Sequence, residues 1–166
     1  MMRINCISVK DLPTRVLKAE LFEIPRGFQY VLMAVKARRP IEMYREFDTY
    51  EYTHQPKFFY TRLGWLAERY LLVAQELARR GVEIESSKIR LTFQGYKNSI
   101  PDKWWGYWGP TERDLAFNQE KLEQRLNRSG KRPPRPVMTN VMVAALEAEI
   151  TAELVELAER RKSEQG

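Results

Sequence analysis

Residues that bind metals or form disulfide bonds are almost absent from this sequence. Its 166 residues include one cysteine, Cys6, and one histidine, His54. One cysteine excludes an internal disulfide and a thiolate zinc cage, and one histidine leaves little for any other zinc site. We interpret Cys6 as a core residue and His54 as a loop residue. Because the acidic residues are scattered on predicted helix surfaces, we expect neither a metal nor a cofactor.

Long apolar runs are also lacking. No run approaches the roughly 18 residues that a membrane-spanning helix needs. The N-terminus shows no charged leader followed by an apolar block. We therefore expect a soluble, cytoplasmic protein whose partner is not a membrane.

Positive charge is in excess. The net charge is +6 and the isoelectric point is near 9.5, which favours an acidic partner, nucleic acid first and an anionic membrane surface second. Residues 137–166 contain six Glu against three basic residues, a net of −3, so residues 1–136 carry +9. The basic character therefore belongs to the main part of the chain. Charge alone leaves open that the protein binds neither partner.

Apolar residues recur at helical spacing after position 11. Asp11 is predicted to be the N-cap of a first helix that runs to about residue 38. Pro25 removes a backbone hydrogen bond inside this helix and is predicted to bend its axis beside Glu23 and Arg26. The apolar stripe consists of Leu17, Leu21, Ile24, Phe28, Val31 or Leu32, and Val35.

The middle of the chain is predicted as one helix between two loops. Residues 40–57 have no clear period and are interpreted as an ordered loop. Helical periodicity then covers residues 63–77, and Gly81 is a natural C-cap. Residues 89–93 alternate in polarity, but no partner strand is evident, so we predict no sheet. Residues 95–110 are interpreted as a loop rich in aromatic side chains.

Two more helices are predicted towards the C-terminus. Thr111 with Asp114 three residues later is typical of a helix N-terminus, and this helix is predicted to reach about residue 127. Residues 128–136 form a predicted basic hinge, and a fourth helix is predicted to start at Thr139. Its narrow apolar stripe either folds back on the core or pairs with a second subunit. The third helix is predicted to bury Leu115, Leu122 and Leu126.

Together these elements predict an all-α fold. It is a compact single domain of three principal helices with long loops, plus an extra C-terminal helix. Residues 1–128 form the predicted main domain, and residues 129–166 form the hinge and the amphipathic helix. A homodimer through that helix is a further hypothesis.

Short sequence motifs occur along the chain in a characteristic order. The first is Arg3-Ile4-Asn5, and the most distinctive is Glu23-Ile24-Pro25-Arg26 followed by Phe28. This ordered set, over about residues 2–128, resembles the pyrimidine-dimer DNA glycosylases of the phage endonuclease V type. The other matching residues are Leu12, Leu17, Ala19, Glu20, Phe58, Phe59, Tyr60, Leu63, Leu66, Arg80, Gly81, Ile100, Pro101, Gly106, Pro110, Glu112, Gln119 and Leu122.

The resemblance implies a mainly helical DNA repair enzyme that acts on ultraviolet-induced cyclobutane pyrimidine dimers. In that family the protein kinks duplex DNA and flips a nucleotide out of the stack. The N-terminal α-amine attacks the sugar C1′ of the 5′ pyrimidine, and the resulting imine permits β-elimination of the 3′ phosphate. The implied activity is that of a DNA N-glycosylase and AP lyase, with residues 1–128 as the catalytic domain and damaged double-stranded DNA as the partner.

By this resemblance, catalysis centres on the N-terminus and Glu23. An α-amine has a pKa of about 7.7–8.0, against about 10.4 for lysine, so part of it is already a neutral nucleophile near pH 7. A carboxylate beside it assists proton transfers and stabilises the positive charge that develops on the sugar. Glu23 matches the family position of that carboxylate. Without the resemblance, Glu23 would be interpreted as a surface acid paired with Arg26 or Arg15.

Five basic residues are predicted to contact DNA. Arg3 and Arg26 match family positions that hold phosphates near the lesion, and Lys121 and Arg125 match basic positions of the family's third helix. Arg15 is predicted to compensate for basic residues that this chain has lost. The alternative for Lys121 and Arg125 is solvated surface charge.

The sequence departs from the family at its start. Family chains expose a small residue after removal of the initiator methionine, whereas this one reads Met1-Met2-Arg3. If Met1 is retained, the amine lies one residue too far out. If translation starts at Met2, Arg3 blocks trimming and the amine takes the family position. We therefore predict the α-amine of Met2 as the nucleophile, or that of Met1 with local rearrangement.

Other departures affect specificity. Phe22 stands where the phage enzyme has an arginine, and Val16 where it has a histidine. One alternative is therefore a glycosylase of the same fold that acts on a different damaged or modified base, and another is a non-catalytic DNA-binding protein. The aromatic cluster at residues 104–108 either stacks on bases or anchors its loop by burial.

Overall fold

The computed structural model describes residues 4–51, 53–129 and 141–165, with side chains in 4–51, 53–128 and 150–165. Within these residues the chain forms seven α-helices and two short 3₁₀ helices, without a β-strand. The α-helices are α1 (Thr14–Lys36), α2 (Glu42–Arg45), α3 (Gln55–Tyr60), α4 (Leu63–Arg79), α5 (Ser86–Ser99), α6 (Glu112–Ser129) and α7 (Val141–Gln165). The 3₁₀ helices are Val9–Asp11 and Asp102–Trp104. The predicted all-α fold is confirmed.

Helices α1 and α4 pack together at the centre of the fold. Their apolar faces belong to one hydrophobic core, and each large apolar side chain buried there contributes about 1.5–3 kcal/mol. The fully or nearly fully buried members of this pair are Leu17, Ile24, Phe28 and Val31 of α1 and Leu63, Leu66, Val73 and Leu77 of α4.

The first helix begins later than predicted. Asp11 lies in the first 3₁₀ helix rather than at the N-cap, so that prediction is wrong. The N-cap is Pro13, whose carbonyl accepts hydrogen bonds from the backbone N–H groups of Val16 (2.9 Å) and Leu17 (3.1 Å). Proline suits this position because it has no N–H that would need a partner. The helix continues through Pro25 to Lys36.

The two predicted loops contain helices that were not predicted. Helix α2 lies inside residues 40–57, and α3 begins there at Gln55 but continues to Tyr60. Helix α5 covers the unassigned residues 86–94 and the first five residues of the second predicted loop. Ile89 and Phe93, four residues apart, are the buried residues of α5. Their burial outweighs the cost of Gly95 in the helix, which is about 1 kcal/mol relative to alanine.

Helix α6 begins as predicted. Asp114 donates its backbone N–H to Thr111 Oγ1 at 3.2 Å, and Thr111 donates its own to Asp114 Oδ2 at 2.9 Å. Leu122 is buried and Leu126 packs on the core, but Leu115 is 39% exposed, so its predicted burial is wrong. The C-cap of α4 is Arg80 rather than the predicted Gly81, which follows it with a φ of 82°, the left-handed conformation in which glycine commonly ends a helix.

Helix α7 folds back against α4. Ile150 and Leu157 are buried in the core, and ion pairs join Glu156 to Lys97 and Arg160 to Asp102. Residues 130–140, with most of the predicted hinge and the predicted helix start, lie outside the described residues. The homodimer stays a prediction. In the described part of the chain, no helix has the length and apolarity to cross a membrane.

Candidate functional site

Residues 4–7 are held by polar side chains that come from distant parts of the chain. Ile4 donates its backbone N–H to Gln55 Oε1 at 2.7 Å, and Gln55 Nε2 donates back to the carbonyl oxygen of Ile4 at 2.7 Å. The hydroxyl of Tyr50 donates to the same carbonyl at 2.6 Å. Gln55 is completely buried at the start of α3. Both backbone polar groups of Ile4 are therefore fixed by side chains.

The next residue is held by a buried carboxylate of α1. Asn5 donates its backbone N–H to Glu20 Oε1 and its side-chain amide to Glu20 Oε2, both at 3.1 Å. Arg69 of α4 donates to the same two oxygens, also at 3.1 Å, and to the carbonyl of Ile7 at 2.7 Å. Glu20 is 0% and Arg69 5% exposed. The buried charges are thus paired and hydrogen-bonded, as burial requires.

Helix α6 supplies the last of the side chains that hold residues 4–7. Asn118 Oδ1 accepts the backbone N–H groups of Cys6 (2.7 Å) and Ile7 (3.3 Å), and its Nδ2 donates to Asn5 Oδ1 at 2.8 Å. Four consecutive backbone N–H groups, from Ile4 to Ile7, therefore donate to side-chain oxygens. We call residues 4–7 with Glu20, Tyr50, Gln55, Arg69 and Asn118 the N-terminal clamp.

Cys6 packs against the core as predicted. Burial raises the pKa of its thiol to about 12, although the positive charge of Arg69 acts in the opposite direction. The reactive form of cysteine is the thiolate. Cys6 is therefore a neutral thiol near pH 7 and is a poor nucleophile.

Glu23 lies one helical turn beyond Glu20 on α1. It accepts a hydrogen bond from Arg26 Nη1 at 3.0 Å, and its side chain is 22% exposed while that of Arg26 is 48% exposed. Residues three apart on a helix are neighbours, so Glu23 lies beside Glu20, the residue that holds Asn5. The ion pair with Arg26 is the one expected for Glu23 as an ordinary surface acid, and the Glu23 side chain remains partly exposed to solvent.

The substituted positions on α1 have different surroundings. Val16 is a core residue with 5% exposure, so its side chain is not available to a ligand. Phe22 is 68% exposed, and the guanidinium of Arg26 lies 4.9 Å from its ring centroid. Arg15 is half-buried near the start of α1. Helical periodicity puts Arg15, Phe22 and Arg26 on one face of the helix.

Lys121 and Arg125 line a cavity of about 1190 Å³ between α6 and the residues 48–51, Thr53, Trp108, Gly109 and Thr111. We call it the α6 cavity. Its basic residues are Arg113, Lys121, Arg125 and Arg128, its acidic residues are Asp48, Glu51 and Asp114, and its aromatic residues are Tyr50, Trp108 and Phe117. Since Tyr50 also donates to Ile4, one wall of the cavity contacts the N-terminal clamp.

The tryptophans at positions 104–108 fall into two groups, one buried and one that lines the α6 cavity. Trp104 and Trp105 are each 1% exposed, and Trp105 Nε1 donates to the carbonyl of Ile100 at 3.1 Å. These two side chains anchor the loop by burial. Trp108 lines the α6 cavity and stacks on Tyr50 with ring centroids 5.3 Å apart.

The remaining predicted residues are placed as follows. Met1, Met2 and Arg3 lie outside the described residues. His54 is an exposed residue at the N-cap of α3, and its ring lies 5.6 Å from that of Phe47. Among the described side chains, no group of three or more His, Cys, Asp or Glu is arranged to hold a metal ion.

Sequence reasoning missed most of the N-terminal clamp. Asn5 and Glu20 belonged to the matching motifs, but Tyr50, Gln55, Arg69 and Asn118 were not singled out. Their partners lie far away along the chain, 51 residues for Gln55 and 112 for the contact between Asn118 and Cys6. No local spacing signals such a contact.

Comparison with known protein families gives a match over residues 1–90, which is more than half of the chain. The matching family is described as pyrimidine dimer DNA glycosylase. The match includes Glu20, Glu23, Gln55 and Arg69 and ends before α6. The match confirms the family that the sequence motifs indicated, and it covers the first 90 of the roughly 128 residues over which they were found.

Proposed function

Because the chain belongs to the pyrimidine dimer DNA glycosylase family, we propose that it excises cyclobutane pyrimidine dimers from duplex DNA and then nicks the strand as an AP lyase. The observation that supports this best is the position of Glu23, one helical turn after the carboxylate that holds Asn5. Two residues span at most about 7 Å. An α-amine at Met2 can therefore lie no more than about 7 Å from the backbone nitrogen of the clamped Ile4.

The proposed reaction begins with attack of the neutral α-amine on the sugar C1′ of the 5′ pyrimidine. The new bond joins the amine nitrogen to C1′, and the glycosidic bond breaks with its electron pair on the departing base, which takes up a proton. Glu23 accepts a proton from the attacking amine and stabilises the positive charge on the sugar. The C1′–O4′ bond then breaks, O4′ takes up the proton held by Glu23, and the nitrogen lone pair forms the C1′=N bond of a protonated imine. Loss of a C2′ proton then breaks the C3′–O bond and releases the 3′ phosphate.

The α6 cavity supports a role in binding DNA. Lys121 and Arg125 are four residues apart on one face of α6, so their two positive charges can attract the phosphates of one stretch of DNA. Arg26 is half-exposed beside Glu23, so it can contact a phosphate near the lesion. We propose Arg3 and Arg15 as further DNA contacts. The cavity has the volume and the aromatic wall to receive an unstacked base, which supports base flipping.

Borohydride trapping on duplex DNA with one defined thymine dimer tests this proposal. Wild-type protein is expected to form a covalent adduct and a nicked strand, and Glu23→Gln to lose product formation. Glu42→Gln is the matched control, because Glu42 also pairs with an arginine three residues later, Arg45 at 3.6 Å, but on α2. It is expected to retain wild-type activity.

A panel of substrates separates the alternatives. Trapping on a different damaged base, without trapping on the dimer, would favour a glycosylase of another specificity. Binding to duplex DNA without trapping on any dimer or abasic substrate would favour a non-catalytic DNA-binding protein. In that case Glu23→Gln leaves binding unchanged.

A further inference from the structure

We infer that Gln55 is a positioning residue for the nucleophile, because it fixes both backbone polar groups of Ile4 and so sets the point from which the chain reaches the reacting sugar. This inference rests on the proposed function, since it concerns an attack by the N-terminal α-amine. Gln55 is fully buried and lies 51 positions after Ile4 along the chain, yet it is expected to affect the rate of the reaction.

The geometry of the contact is specific to an amide side chain. Gln55 Oε1 accepts from Ile4 N and Gln55 Nε2 donates to Ile4 O, both at 2.7 Å, which is the reciprocal pairing of a strand with its neighbour. The two bonds fix the orientation of the Ile4 backbone as well as its position. An apolar side chain would be sufficient if position 55 only had to be buried, as Phe58 and Phe59 show in the same helix.

Tyr50 adds a connection between this contact and the α6 cavity. Its hydroxyl donates to the same Ile4 carbonyl at 2.6 Å, and its ring lines the cavity and stacks on Trp108. The wall of the cavity therefore includes a residue that is bonded to the N-terminal segment, although only 3% of Tyr50 is exposed.

The short tether makes the anchor matter for the reaction. A chain that begins at Met2 has two residues before Ile4, a span of at most about 7 Å, so the position and orientation of Ile4 limit the positions that the amine can reach. A misplacement of about 1 Å at a reacting group costs on the order of 100-fold in rate. Loss of the Gln55 contact is therefore expected to slow adduct formation by about 10- to 100-fold.

Gln55→Met tests this inference, because it keeps the length and the burial of the side chain and removes both hydrogen bonds. The measurement is the single-turnover rate of borohydride trapping on duplex DNA with one abasic site, at saturating protein and well below the melting temperature. The expected result is a trapping rate about 10- to 100-fold lower, with the Kd for the same duplex within about two-fold of wild type.

Phe93→Leu provides the control for a purely structural role. Phe93 is a buried residue of α5 and packs against Trp105 rather than against the N-terminal clamp. This variant is expected to lower the melting temperature and leave the trapping rate unchanged. A wild-type trapping rate in Gln55→Met, together with a lower melting temperature, would overturn the inference.

Gln55→Asn serves as the second variant if Gln55→Met does not fold. It keeps the amide group but shortens the side chain by one methylene group, so it cannot make both 2.7 Å hydrogen bonds to Ile4 from the same position, and trapping is expected to slow by a few-fold. An unchanged trapping rate in Gln55→Asn would then overturn the inference. If wild-type protein itself does not trap DNA, the proposed function fails and the inference fails with it, an outcome distinct from a selective effect of the variants.

Discussion

Arg69→Met is expected to be one of the most destabilising single substitutions in this protein. Arg69 is 5% exposed and donates to both oxygens of Glu20 and to the carbonyl of Ile7. Methionine fills much of the same volume but offers none of these donors. The substitution therefore leaves a completely buried carboxylate without its counter-ion and the Ile7 carbonyl without the donor that Arg69 supplies.

The expected loss follows from the burial of the pair. Removing one partner of a buried ion pair costs about 3–5 kcal/mol, because the other charge remains buried. For a domain of this size each kcal/mol shifts the melting temperature by about 2–4 °C, so the shift is on the order of 6–20 °C. Arg79→Met is the matched control. Arg79 makes the same two-bond contact with Glu76, at 2.7 and 2.8 Å, but is 38% exposed.

The control is expected to lose less than about 1 kcal/mol, since a partly exposed ion pair contributes little and Glu76 keeps its bond from Arg80 at 2.9 Å. Chemical denaturation followed by far-ultraviolet circular dichroism measures both free energies of unfolding. Equal losses in the two variants would refute the reasoning, because burial would then not govern the strength of these contacts.

Three other predictions concern packing, acid stability and DNA binding. Gly106→Ala is expected to lower the free energy of unfolding by about 1–3 kcal/mol, because the added Cβ would lie 2.3 Å from the carbonyl oxygen of Thr61. Gly109→Ala is the control, because a Cβ there has no atom within 4 Å, and thermal unfolding compares the two variants. Burial raises the pKa of Glu76, but hydrogen bonds from Arg79 and Arg80 outweigh it and hold the pKa below its ordinary value of 4.5. The stabilisation that the charged Glu76 provides is therefore present above about pH 4.5 and is lost as the pH falls through the pKa of Glu76 in the folded protein. Glu76→Gln should reduce the dependence of the free energy of unfolding on pH in the acid range, and an unchanged dependence would contradict this. Lys121→Ala and Arg125→Ala should each reduce the slope of log Kd against log salt by about 1, while the exposed Lys88→Ala on α5 leaves it unchanged; equal slopes in all three variants would remove α6 from the DNA contacts.

The long helices were predictable because each carries a strong local signal. In α4 the apolar period runs unbroken to Gly81, and in α6 Thr111 and Asp114 form the expected reciprocal cap. Helix α5 was missed because only Ile89 and Phe93 are buried in it and Gly95 weakens its helical propensity. Tertiary packing stabilises this helix, and a local pattern does not record packing.

The candidate site was predictable only in part, for a related reason. Glu23 and Arg26 were found through a family motif, and the structure adds that they form an ion pair. Gln55 and Asn118 belong to no motif that was recognised, and each is a single polar residue whose partners lie in another part of the chain. A buried polar residue becomes recognisable only when the fold shows what it bonds to.

The most direct test of the central claim is to identify the atom of the protein that becomes bonded to DNA. Borohydride-reduced adduct with a thymine-dimer duplex, digested and analysed by mass spectrometry, reports both the first residue of the active chain and the site of attachment. If the α-amine of Met2 is the nucleophile, the DNA is attached at the α-amine of an N-terminal peptide that begins with Met2. Attachment at a lysine side chain, or the absence of any adduct from protein with a free N-terminus, would contradict it.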